Sequence, residues 1–147
     1  TGVQTCALPI YEKSNTNISV TDADEFETNT CKADIALDII EQLIKDTGYS
    51  VFSTIIELFV KETTQRVSRI EIAYSGGNHL TIKNEAHAIK SSAATVGATA
   101  LSTIAVKLEN GSHPDILHQL APMVTSLSFI AKCTFEALHL YKEEHCD

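Results

Sequence analysis

The sequence predicts an all-α protein, an antiparallel four-helix bundle with a short extra helix at its N-terminal end. Apolar residues recur at helical spacing in successive stretches between residues 33 and 142. The joints between those stretches are short, which places consecutive helices antiparallel. No period-two alternation bounded by hairpin signals occurs anywhere. With 147 residues, the chain has material for about one domain.

The first helix is expected from about Ala33, with Ile35, Ile39, Ile40 and Leu43 on one face and Gly48 as its stop. Ser50 is the expected N-cap of a longer second helix, whose stripe is Phe52, Ile55, Ile56, Phe59, Val60, Val67 and Ile70. Its opposite face is charged. Ser75-Gly76-Gly77-Asn78 ends it, and Asn78 can cap a third helix over His79–Thr95. Gly97 marks the next break. A fourth helix follows over Thr99–Asn110, with Leu101, Ile104, Ala105 and Leu108 inward. A fifth is expected to start at Ser112-His113-Pro114-Asp115, with Ser112 as N-cap, and to run toward Tyr141. Pro122 should kink or split it.

Residues 1–32 are set apart from this pattern. The stretch TGVQTCALPI matches one translated frame of a widely used sequencing adapter and is read as an assembly artefact, with the gene continuing upstream. Residues 11–32 are acidic and rich in Ser, Thr and Asn, and are expected to form a disordered polar linker. The domain is thus expected over residues 33–142.

The net charge of −8, with 11 Lys and Arg in all, excludes a nucleic-acid binder and direct contact with an anionic membrane. No apolar run reaches 18 residues. The four cysteines lack C-x-x-C or zinc-finger spacing, so a reduced, cytoplasmic setting is expected, with Cys133 a small core residue. His139, Glu143, His145 and Cys146 make a poor metal set, because they are terminal and only the first two share a helix face.

The chemistry concentrates in EAHAIKSSAATVGA, residues 85–98. Ile82, Ala86, Ile89, Ala93 and Val96 are spaced 4, 3, 4, 3, the seam of a bundle helix. One residue on, Lys83, His87, Lys90 and Ala94 form a parallel stripe about 100° around the helix. His87 therefore sits beside the core, with Lys83 one turn before it, Lys90 one turn after it and Ser91 alongside. The two cations favour a neutral, nucleophilic imidazole, which can accept a phosphoryl group. Lys90 can hold the phosphoryl oxygens. The small residues Ala88, Ser91 and Ala94 clear room for a partner protein. There is no Walker or glycine-rich nucleotide loop, so the phosphate is expected to come from another protein rather than from ATP bound here.

His87-Ala88-Ile89-Lys90-Ser91-Ser92-Ala93 through Gly97-Ala98, then Leu101 and Lys107-Leu108-Glu109, resembles the signature of histidine-containing phosphotransfer (HPt) domains. The helices around Leu37–Leu43 and Ile55–Phe59 fit the same layout, and the resemblance spans roughly residues 33–140. It implies a four-helix bundle with a short N-terminal helix. It implies that His87 is the phosphorylated residue, relaying phosphate between receiver-domain aspartates, and that Lys90 assists the phosphoryl group. Many such domains carry glycine where this chain has Ser91. Lys83, Ser91, Ala94 and Gly97 are the expected partner-binding positions. The partner receiver would supply the aspartate and the Mg²⁺, so the chain needs no cofactor of its own and is not an enzyme in its own right. A monomeric domain is expected, at the C-terminus of a hybrid sensor histidine kinase. The alternatives are a free-standing relay protein of quorum-sensing type and a helical adaptor that is never phosphorylated.

Overall fold

Five α-helices carry the described residues, 34–145, of the computed structural model: α1 (Leu37–Thr47), α2 (Tyr49–Ser75), α3 (His79–Thr95), α4 (Thr99–Gly111) and α5 (Ala121–Glu144). The chain divides into two units, Thr1–Lys32 and Ala33–Asp147. The artefact and linker expectations lie outside the described residues.

Helices α2 to α5 form the antiparallel bundle, and α1 packs on α2. The core is built from the stripes that helical spacing selects: Phe52, Ile56, Phe59 and Ile70 from α2, Ile82, Ala86, Ile89 and Ala93 from α3, Leu101 to Leu108 from α4, and Val124, Leu127 and Leu138 from α5. Burying each large apolar side chain contributes about 1.5–3 kcal/mol, so these stripes dominate the stability of the fold. Ile55 and Val60 of the expected α2 stripe are half-buried at its edges.

The joints decide the register. Gly48, at φ +91°, ends α1 and opens α2 in a single residue, and its carbonyl accepts from Phe52 N. Ser50, expected as the cap, is instead inside α2, whose N-cap Gly48 makes no side-chain bond. Asn78 does cap α3: its side chain accepts from Thr81 N at 3.1 Å. At the α3–α4 turn, Gly97 has φ +78°. The stretch leading into α1 is pinned there by an antiparallel bridge between Ile35 and Ala98 and by Ala36 N donating to Gly97 O at 2.8 Å.

The last connection differs from expectation. Ser112 closes α4 rather than opening α5; its buried hydroxyl donates to Leu108 O at 2.7 Å. A turn and a short 3₁₀ stretch, Leu117–Leu120, come between, and α5 starts at Ala121. Pro122 does not kink the helix; it lies in the first turn, where its missing N–H has no intrahelical partner to lose. Cys133 is buried at 2% exposure, as expected of a small core residue.

Candidate functional site

α3 presents three faces. Ile82, Ala86, Ile89 and Ala93 are fully buried, and the alanines let the helix pack closely on α4. Toward α2 the flank is Glu85, which accepts from Arg66 at 2.8 Å and from Arg69 at 3.3 Å. Toward α4 the flank carries His87 and Lys90.

His87 is exposed, with 60% of its side chain accessible, and its Nδ1 lies 2.8 Å from Glu109 Oε2 on α4. Lys90 Nζ donates to the other oxygen of the same carboxylate, also at 2.8 Å. Glu109 is 17% accessible, so the bridge is partly shielded from water. The hydrogen bond from Lys90, and then that from His87, hold its carboxyl below the ordinary value of 4.5. An ionised carboxylate only accepts, so Nδ1 of His87 is the donor. In the neutral ring the lone pair then lies on Nε2, which has no partner among the described residues. An imidazole with one nitrogen tied to a carboxylate and the other exposed with its lone pair is a positioned nucleophile.

Glu109 is the residue of this cluster that sequence reasoning did not single out. It stands in the Lys107-Leu108-Glu109 part of the signature, yet spacing along α3 cannot see a residue brought in by the next helix. His87 is therefore not a ring set simply between two cations: a carboxylate bonds it, and Lys90 faces that carboxylate. Lys83 is exposed one turn away, with no ion pair among the described residues. Ser91 and Ala94 are exposed on the same side of α3. Gly97, expected with them, is buried; a Cβ there would lie 3.0 Å from the backbone oxygen of Ala36. That contact and its positive φ account for the glycine.

Beside this ridge, α2 and α3 enclose a groove of about 220 Å³ lined by Ile55, Leu58, Phe59, Glu62, Ser92 and Thr95. Phe59 belongs to the core, and Leu58 is the exposed apolar residue, at 53%. Residues 61–109 hold six Lys and Arg against four Glu, in a chain of net charge −8. At the far end of α5, His139 Nε2 pairs with Glu143 at 3.0 Å, and the His145 ring stacks on Tyr141. No group of three metal-binding side chains forms among the described residues.

The helical bundle thus holds an exposed histidine by one ring nitrogen, with a lysine one turn on sharing the same carboxylate. The chain belongs to the Hpt domain family, whose model matches residues 54–138. Its fold is similar to that of histidine-containing phosphotransfer protein B from Pseudomonas aeruginosa PAO1, with a TM-score of 0.71 and 14% identity over 76% of this chain and 96% of that one. No curated protein matches.

Proposed function

We propose that the domain is a phosphorelay intermediate that accepts a phosphoryl group on Nε2 of His87 from a receiver-domain aspartate and passes it to another receiver. The observation that carries this reading is the bond between Nδ1 of His87 and Glu109, which leaves the opposite nitrogen exposed. In the transfer, the P–O bond to the aspartate breaks as the N–P bond forms. The aspartate leaves as a carboxylate with the electron pair, and Nε2 supplies the new pair. The ring gains positive charge as it attacks, and Glu109, already hydrogen-bonded to Nδ1, stabilises that charge. Lys90 can turn from Glu109 to the incoming phosphoryl oxygens as a flexible point charge.

The receiver supplies Mg²⁺ and the reacting aspartate, and the bundle acts as a carrier rather than as an enzyme. Its docking surface is the ridge of Lys83, Ser91 and Ala94 with the Leu58 groove beside it. The exposed Lys83 on that ridge suits an acidic receiver pocket. We place the domain at the C-terminal end of a hybrid sensor kinase, with a free-standing relay protein as the alternative. The cytoplasm is its proposed location, where aspartyl-phosphate partners work.

Incubation with a phosphorylated receiver domain and Mg²⁺ tests the activity. Wild type takes up an acid-labile, base-stable phosphate and His87→Gln does not. A His87→Gln variant that labels like wild type sinks the proposal and leaves the unphosphorylated adaptor.

A further inference from the structure

The hydroxyls around His87 are mostly committed to backbone carbonyls. Ser92 Oγ donates to Ile89 O at 3.3 Å, Thr95 Oγ1 to Ser91 O at 3.0 Å, and Ser102 Oγ to Lys90 O at 3.3 Å. Ser91 breaks the pattern. It is exposed, and its hydroxyl has no acceptor among the described residues.

Its position gives that hydroxyl a use. Residues four apart on a helix share a face, with Cβ atoms about 5–6 Å apart. Helical side chains also lean toward the N-terminus, so a group at 91 leans over the ring at 87. Lys90 displays the same lean: its ammonium reaches back to the carboxylate that also holds His87. A phosphoryl group on Nε2 would bring about −1.5 to −2 charge and three acceptor oxygens to this place. Lys90 also bonds Glu109, so the phosphoryl oxygens have room for a further donor.

We propose that the Ser91 hydroxyl is a ligand of the phosphoryl group on His87, donating a hydrogen bond to one of its oxygens and shifting the transfer equilibrium toward the phosphohistidine. This rests on His87 being the acceptor. Ser91 exchanges no proton: Nε2 supplies the electron pair of the new bond, the aspartate leaves with that of the old one, and the Ser91 O–H stays intact. A glycine or alanine at 91 would give the same room for a receiver but no donor.

Equilibrium separates a ligand from a docking contact. A docking contact speeds or slows transfer in both directions and leaves the ratio of free phosphohistidine to free phosphoaspartate unchanged. A bond present only in phosphorylated His87 moves that ratio. The test follows wild type, Ser91→Ala and Ser91→Gly to equilibrium with one phosphorylated receiver domain and Mg²⁺, with helical content checked by circular dichroism. Loss of one charge-assisted hydrogen bond should lower the ratio about tenfold in both variants. A ratio equal to wild type in both, whatever happens to the rates, overturns the proposal while His87 remains the acceptor. A wild type that takes no label overturns the acceptor reading and this inference with it.

Discussion

Nδ1 of His87 and Oε2 of Glu109 meet at 2.8 Å, although 22 residues and a helix turn separate them in the chain. The contact fixes the ring's orientation and assigns its proton. Glu109→Ala removes both, and also frees Lys90. Phosphoryl uptake from a receiver should fall about tenfold to a hundredfold, by analogy with metal-bound histidines that lose an orienting carboxylate. Glu109→Gln should lose less, because its carbonyl can still accept from Nδ1. Single-turnover transfer rates measure both, and an unchanged rate in Glu109→Ala would remove Glu109 from the mechanism.

The same carboxylate gives stability a pH dependence. Its folded-state pKa lies below the ordinary 4.5, first through Lys90 and then through His87. Folding therefore favours its ionised form. The stabilisation is fully present above 4.5 and is lost as pH falls through the lowered value. Thermal melts between pH 6 and 3 should show a steeper loss in wild type than in Glu109→Gln; superimposable profiles would contradict the pairing.

Gly97 should tolerate no side chain. Its φ of +78° is strained for alanine, and the added Cβ would press on the Ala36 carbonyl at 3.0 Å. Gly97→Ala should cost about 1–3 kcal/mol in denaturant unfolding. Because Ala36 N bonds Gly97 O, the loss should come with earlier amide exchange at Ala36.

Thr134 is fully buried and its hydroxyl finds no partner among the described residues. Thr134→Val keeps the shape and removes that unpaired group. The unfolding free energy should rise by about 1 kcal/mol, read from a shift in denaturant midpoint. A fall would mean the hydroxyl is bonded in solution.

Much of this architecture was legible because it is local. The α3 seam, Ile82 to Val96, and the α4 seam, Leu101 to Leu108, are each read from periodicity within one helix, and all their members are buried. Asn78 was legible as a cap because the two glycines before it had already stopped α2. Ser50 and Ser112 misled because cap propensity is weak: Gly48 makes a tighter joint at positive φ than a serine could, and Pro122 offers α5 a better start ten residues later. The partner of His87 was not legible in the spacing of α3. Glu109 reaches the ring only after α4 folds back, and a helix repeat carries no information about its neighbour's register. Gly97 was seen as a break, but its burial follows from Ala36 crossing over it.

The H-x-x-K spacing recurs at His139 and Lys142, and the comparison isolates what matters at His87. There it is Nε2 that meets a carboxylate, Glu143, and Glu57 and Glu136 line the adjoining groove. A phosphoryl group would be repelled at that site. The most direct test of the account is therefore to locate the phosphoryl nitrogen itself. Protein with ¹⁵N-labelled histidine, phosphorylated by a receiver domain, is read by long-range ¹H–¹⁵N correlation. One modified ring is expected, His87, substituted at Nε2 with Nδ1 still protonated against Glu109. Phosphate on Nδ1 of His87, or on His139, would contradict it.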